Sequence, residues 1–251
     1  MGRQIRVPGP VLVALLLAAA TGCSGPIAPD GGDPKASAPA GSPSSAAPTA
    51  PKAPDSPGDD TKPAGGDVLT GMVTAAVART QLAALEVAPV GTMAGYSRDK
   101  FTHWAQQGNK CDTREVVLER DGTGVIRDAE CRAVSGNWKS LYDGVVVTDA
   151  GKMDIDHVVP LAEGWRSGAA GWDSARRKAF ANDLTRPQLL AVTAASNRSK
   201  GDQSPDLWQP PDKTSWCQYG RAWTTVKSTY GLTVTEPEKT MLTTMLDTCA
   251  S

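Results

Sequence analysis

The chain has 251 residues and is nearly neutral, with 26 Lys and Arg against 27 Asp and Glu and a net charge of −1. That balance argues against a pure nucleic-acid-binding module, which carries a basic excess, but leaves room for an enzyme with a locally basic groove. The length allows one domain with a real core once targeting and linker segments are set aside.

The N-terminus reads as a targeting segment. Arg3 and Arg6 precede an uninterrupted apolar run over 11–20, and Ala20-Thr21-Gly22 leads to Cys23. The run is too short to cross a bilayer comfortably, so residues 1–23 are expected to be a signal peptide rather than a transmembrane helix. A Cys directly after Thr-Gly is where bacterial lipoprotein processing cuts and lipidates, which makes Cys23 the expected lipidation site and the membrane an expected partner. Ala20 stands where Leu is usual, so ordinary cleavage and release is the alternative. Residues 24–67 are Pro, Ala, Gly, Ser and Asp with almost no large apolar side chain. Such a segment buries too little surface to offset its conformational entropy and is expected to be a disordered tether.

Residues 68–251 form the expected folded domain and balance 21 Lys and Arg against 21 Asp and Glu. Helical spacing of small and apolar residues predicts an opening helix over 68–86. Residues 96–104 mix aromatics with charges and suggest a second helix with Ser97 as its N-cap. A short strand is expected over 114–118, then a turn at Asp121-Gly122-Thr123-Gly124 leading to Val125-Ile126. Strand pieces around a Tyr-Asp-Gly turn are expected over 137–147. The alternating, β-branched run over 153–159 predicts a strand that ends at Pro160. A helix rich in Arg and Lys follows over 172–182, a short apolar strand over 189–193, and a helical turn or more over 194–199.

With Cys23 set aside, four cysteines remain, and an even set in an oxidising compartment reads as two disulfides. Of the three pairings, the local one is preferred: Cys111 with Cys131 and Cys217 with Cys249. Each would contribute about 3 kcal/mol through the unfolded state. A zinc site is disfavoured because no Cys-x-x-Cys pair exists.

The chemistry concentrates over 151–203. One of only two histidines, His157, follows Asp154-Ile155-Asp156 at the end of the predicted strand. Some forty residues later comes Ser196-Asn197-Arg198-Ser199-Lys200-Gly201-Asp202, a dense run of oxygen donors and cations. Phosphodiester hydrolysis needs a base for water, a hard cation on the phosphate oxygens and a positive group near the developing charge. His157, Asp156, Asn197 and Lys200 can fill those roles, and oxygen donors suit magnesium.

Asp156-His157-Val158-Val159-Pro160, an intervening Asn182-Asp183-Leu184, and Asn197-Arg198-Ser199-Lys200 together resemble the HNH, or ββα-metal, nuclease motif, as in the HNH domain of RNA-guided CRISPR effectors. The runs over 98–104, 111–114, 135–138 and 167–169 are similar to exported actinobacterial HNH-family proteins related to the C-terminal domain of GmrSD-type restriction enzymes. The resemblance implies an α+β fold, with a ββα-metal core wrapped by helices and stapled by disulfides. It implies a metal-dependent endonuclease acting on DNA, with RNA as a second candidate, at the outer face of the membrane or in secreted form. His157 would be the general base, Asp156 and Asn197 the ligands of one divalent metal, magnesium ahead of manganese. Asn182 would brace the loop and orient His157, and Lys200 or Arg198 would neutralise the phosphate. Arg176 and Arg177, on the helix inside the motif loop, are candidate phosphate contacts.

Plainer readings stand beside these. An isolated Asp-His pair is more often a surface ion pair, and an Arg-Lys run is usually a solvated helix face. Glu163 reads as a solvated loop carboxylate before a ligand, and Asp154 as either a partner of the site or a strand-end charge. His103 reads as a packed or surface histidine rather than a catalyst. The competing functions are a catalytically idle wall-associated binding protein on the same fold, and a glycan hydrolase. The hydrolase would need two facing carboxylates, which Asp154 and Asp156 on one strand supply poorly.

Overall fold

The structure, a computed structural model, describes residues 69–250. The expected signal peptide, Cys23 and the tether over 24–67 lie outside the described residues. Among the described residues no helix is long and apolar enough to cross a membrane.

In chain order the elements are α1 (Ala75–Ala84), β1 (Gln106–Gly108), β2 (Cys111–Asp112), α2 (Thr113–Asp121), β3 (Thr123–Arg127), β4 (Ala133–Lys139) and β5 (Val146–Val147). They continue with β6 (Met153–His157), α3 (Leu161–Arg166), α4 (Ser174–Ala181), β7 (Leu189–Thr193), α5 (Ala194–Lys200), α6 (Trp216–Tyr230) and α7 (Glu236–Asp247). Strands pair antiparallel in three small sheets: β1 with β2, β3-β4-β5, and β6 with β7. The class is α+β.

The β6–β7 pair divides the interior. Its register sets Asp154 opposite Val192, Asp156 opposite Leu190 and His157 opposite Leu189. Because successive side chains point to opposite faces, Leu189 and Ala191 join Met153 and Ile155 in one apolar cluster with Val117, Leu118 and Trp138. Leu190 and Val192 face the other cluster, with Tyr142, Tyr219, Trp223 and Leu242. A strand buried on both faces needs an apolar residue at every position, which is why 189–193 reads as an unbroken run. Truncating Leu190 to Ala would cost about 2–5 kcal/mol.

Several elements differ from expectation. The predicted opening helix is real only from Ala75 to Ala84, where the Thr74 side chain accepts from the Val77 amide at 3.3 Å as N-cap. The predicted strand over 114–118 is the helix α2. Asp112 caps it by accepting from the Glu115 amide at 3.0 Å, and Val117 and Leu118 face Trp138, whose indole N–H donates to the Leu118 carbonyl at 2.7 Å. A short β-branched run is ambiguous between strand and helix, and here the cap decides. The expected helix over 96–104 shrinks to a single 3₁₀ turn, Arg98–Lys100; the Ser97 side chain makes no capping bond. Trp104, at φ +56°, lies outside helical space altogether.

Cys111 pairs with Cys131 and Cys217 with Cys249. The second bond closes the antiparallel hairpin of α6 and α7. Gly231, at φ +63°, ends α6 in the left-handed conformation that glycine adopts without penalty. Thr235 and Glu238 then start α7 with a reciprocal capping box. Beneath this hairpin Lys227 is fully buried, its ammonium donating to Glu163 Oε1 at 2.8 Å, to Glu238 at 2.7 Å and to the Thr233 carbonyl at 2.9 Å. Glu163 is therefore not a solvated loop carboxylate: it sits on α3 and is spent in this buried ion cluster.

Candidate active site

Two antiparallel strands and the helix that follows them bring the motif residues together. On β6 the two-residue period sends Asp154 and Asp156 to one face, and α5 lies across it. Asn197 donates from Nδ2 to Asp154 Oδ2 at 3.1 Å. One helical turn on, Lys200 reaches Asp156, with its ammonium 3.0 Å from Oδ1 and 2.8 Å from Oδ2, and also donates to the His157 carbonyl at 3.0 Å. The remaining partner of Asp156 comes from outside the motif: the Tyr142 hydroxyl donates to Oδ2 at 2.5 Å. Tyr142 is held in turn by its neighbour Asp143, which accepts from the Thr193 hydroxyl and from Ser196 Oγ at 2.7 Å, at the junction of β7 and α5. Burial pushes the Asp156 carboxyl up and the Lys200 amine down, and each partner's charge opposes the other's shift.

His157 ends β6 and is buried, at 4% exposure. Its Nε2 lies 2.9 Å from the Ala181 carbonyl. A carbonyl can only accept, so Nε2 carries the proton and Nδ1 keeps the lone pair. Burial drives the imidazole pKa down to about 3, assisted by the positive charges of Arg98 and Lys200 and opposed by the bond to Ala181. The ring is neutral at physiological pH. The indole of Trp104 stacks on it, with centroids 5.6 Å apart and planes inclined by 30°.

Asn182 ends α4 and turns its amide away from both His157 and solvent chemistry. Its Oδ1 accepts from the Ala105 amide at 2.8 Å, and the Thr113 hydroxyl lies 2.8 Å from the same oxygen. Its Nδ2 donates to the carbonyls of Thr102 at 2.7 Å and Lys178 at 2.8 Å. The amide is saturated by protein, and the bond to His157 comes from the preceding residue's carbonyl.

A pocket of about 190 Å³ opens over these groups, lined among others by Arg98, Asp156, His157, Asn197 and Asp202. Arg98 is exposed and is the cation of this lining; the 3₁₀ turn that carries it is tied to α4 by Arg177, whose Nε donates to the Lys100 carbonyl at 3.3 Å. Gly201, at φ +55°, ends α5 and lets Asp202 turn back to the rim, where Arg166 Nη1 holds its carboxylate at 2.7 Å. A larger cavity of about 460 Å³, lined by Asn137, Lys139, Ser140 and Thr214 among others, includes no histidine.

The structure thus gathers Asp156, His157, Asn197 and Lys200, with Lys200 away from the pocket lining that the other three share. Lys200 is wholly buried against Asp156, so it cannot reach a phosphate in the pocket. Arg198 is exposed on α5. Arg176 and Arg177 are turned to other work: Arg176 lies over Trp172 at 4.5 Å and donates to the Tyr230 carbonyl at 2.6 Å. Arg177 donates to the carbonyls of Trp172 and Ala169. Both guanidiniums brace loops. Arg98, Trp104 and Tyr142 were not singled out from sequence; the first two lie in the run over 98–104 quoted above, and nothing local marks Tyr142.

Residues 114–245 match the family described as GmrSD restriction endonucleases, C-terminal domain. A relative from Arthroderma benhamiae, named an uncharacterized secreted protein, is 53% identical over 176 residues, covering 70% of this chain and 86% of that protein. No solved structure matches the chain.

Proposed function

This chain belongs to the family of the GmrSD restriction endonuclease C-terminal domain, and we propose that it is an exported HNH-type endonuclease that hydrolyses phosphodiester bonds of DNA using one divalent metal. The observation that carries the reading is the state of His157. Its proton is committed at Nε2 to the Ala181 carbonyl, which leaves Nδ1 as an unprotonated acceptor on a ring that lines the pocket with Asp156 and Asn197.

The donors suit a hard cation. Asn197 donates from Nδ2 to Asp154, which keeps its carbonyl Oδ1 as the oxygen that can meet a cation, and among the described residues the partner of Asp156 Oδ1 is the Lys200 ammonium. Among the described residues no group of three or more His, Cys, Asp or Glu is placed to hold a metal. An ion held by Asp156 and Asn197 must keep most of its waters, which is magnesium's habit, and manganese is the second choice. Such an ion, when bound, neutralises charge on the phosphate and the leaving oxygen. Lys200 keeps Asp156 oriented. His157 Nδ1 takes the proton from a water whose oxygen attacks phosphorus; the bond from phosphorus to the leaving sugar oxygen breaks, and that oxygen is protonated by solvent. Arg98 takes the phosphate-facing role that the buried Lys200 cannot, with Arg198 as the second exposed cation. The export pattern over 1–23 and the relative's name support action outside the cell, either released or anchored by a lipid on Cys23.

The mature chain incubated with plasmid DNA, magnesium or EDTA, and a His157→Ala variant alongside, tests this. Cleavage requiring both magnesium and His157 is expected. Absence of cleavage by folded, disulfide-bonded protein in magnesium and manganese would sink the reading. It would favour an idle binding module in which Asp156, already satisfied by Lys200 and Tyr142, is purely structural.

A further inference from the structure

Trp104 combines three features that meet at His157. Its indole covers the face of the imidazole. Its backbone stands at φ +56°, a conformation that a bulky L-residue adopts only where the surroundings enforce it. The enforcement is visible: Asn182 grips the chain on both sides of the strained residue, through the Thr102 carbonyl and the Ala105 amide. The Ala105 carbonyl is gripped as well, by the Thr113 amide at 3.0 Å. The residue before Asn182 supplies the carbonyl that takes the His157 proton. One short segment, 181–182, therefore references both the edge and the face of the imidazole ring.

We infer that Trp104 is a positioning residue for His157, held by Asn182 in a strained conformation so that its indole keeps the imidazole in the Nε2–H orientation. The inference rests on His157 being the general base. Turning about the Cβ–Cγ bond costs the ring its single hydrogen bond at Nε2. The indole stacked on the ring face adds to that cost, which keeps Nδ1 as the acceptor. Trp104 lies N-terminal to the residues matched by the family, so this support is not part of that match.

The test uses the mature chain with Trp104→Gly and Trp104→Phe. Glycine is at ease at positive φ, so Trp104→Gly removes the stack and relieves the backbone together; the relief offsets part of the packing lost against the Val117–Trp138 cluster, and activity is compared at a temperature where the variant is fully folded. Its kcat on a DNA oligonucleotide with magnesium should drop about a hundredfold, the scale of a misplaced catalytic group, with KM within about twofold. Trp104→Phe restores a ring and should recover most of kcat. A second readout is independent of cleavage: the chain has two histidines, so ¹⁵N-histidine spectra resolve the tautomer of His157 directly. The parent protein and Trp104→Phe should show the Nε2–H form alone, and Trp104→Gly a mixture. A pure Nε2–H form in Trp104→Gly overturns the inference whether or not the protein cuts DNA. A raised KM with unchanged kcat also overturns it, and would make Trp104 a platform for substrate bases instead. If the parent protein does not cleave at all, the spectra alone decide.

Discussion

Two lysines, Lys200 and Lys227, are fully excluded from solvent, and the molecule uses them in opposite ways. Lys227 bonds two carboxylates from two helices, Glu163 on α3 and Glu238 on α7, and so ties α3, α6 and α7 into one layer. Lys200 bonds one carboxylate, Asp156, which still lines an open pocket. The first cluster sets two carboxylates against two cations, Lys227 and the Arg166 guanidinium on Glu163, and the Trp223 indole donates to Glu238 as well. The second is balanced one to one, and its carboxylate is among the residues that line the pocket. A buried ammonium with every neighbour satisfied is a fastener. One whose partner faces a pocket sets the orientation of a working group.

Removing each ammonium should separate the two roles. Lys227→Ala removes the one ammonium that Glu163 and Glu238 share beneath the hairpin and should destabilise the fold by about 3–5 kcal/mol, the largest effect, read by urea unfolding. Lys200→Met should cost less, about 3 kcal/mol at the lower end of that range, because Asp156 keeps the Tyr142 hydroxyl and water can reach the pocket. That variant should also lose DNA cleavage at temperatures where it is fully folded. A larger stability loss for Lys200→Met than for Lys227→Ala would break the comparison.

Acid sharpens it. The His157 pKa is about 3 in the folded protein against 6.5 in the unfolded chain, so the unfolded state binds the proton first and stability falls as pH drops from about 6.5 toward 3. The slope is about 1.4 kcal/mol per pH unit once well below 6.5. Glu238, raised by burial, takes up protons more readily folded than unfolded and adds no loss on acidification. Unfolding measured at pH 7 and pH 5 should therefore show an acid penalty of about 1–2 kcal/mol in the parent protein that His157→Gln removes in large part, the remainder belonging to His103, whose imidazole is also held down by burial and by the Arg98 charge. The smallest effects belong to cations that end on carbonyls at the surface. Arg176→Ala should cost about 1 kcal/mol, from its carbonyl bond and its place over Trp172. It should leave DNA affinity within about twofold, and a larger drop in affinity would return Arg176 to the substrate.

What was legible follows from where the physical signal lies. The strand β7 reads directly from 189–193 because burial on both faces demands an apolar residue at every position. The order of β6, α4, β7 and α5 is likewise carried by local pattern. So are Asp156 and His157, adjacent in sequence and placed by one strand. The helix α2 does not read from its own residues, because Val116, Val117 and Leu118 fit a strand as well as a helix and the Asp112 cap is what separates the two. The disulfide partners came from parity and proximity. Lys200 could be assigned to the site but not to its task, since burial is a property of what packs around it. Tyr142 reaches Asp156 from a turn fourteen residues upstream, and Arg98 and Trp104 arrive from a segment whose course is set by Asn182. Such long-range placements leave no periodic trace.

The four-way grip of Asn182 has a consequence for how the protein ages. Spontaneous hydrolysis of that side-chain amide yields aspartate, which would set a negative oxygen where Nδ2 now donates to the Thr102 and Lys178 carbonyls. Acceptor would then face acceptor, and the segment from 102 to 105 would lose one of its two holds on a residue already under backbone strain. A stored sample could thus fade through a single chemical lesion that leaves His157, Asp156 and Asn197 untouched and exchanges a two-donor NH₂ for an acceptor-only carboxylate oxygen.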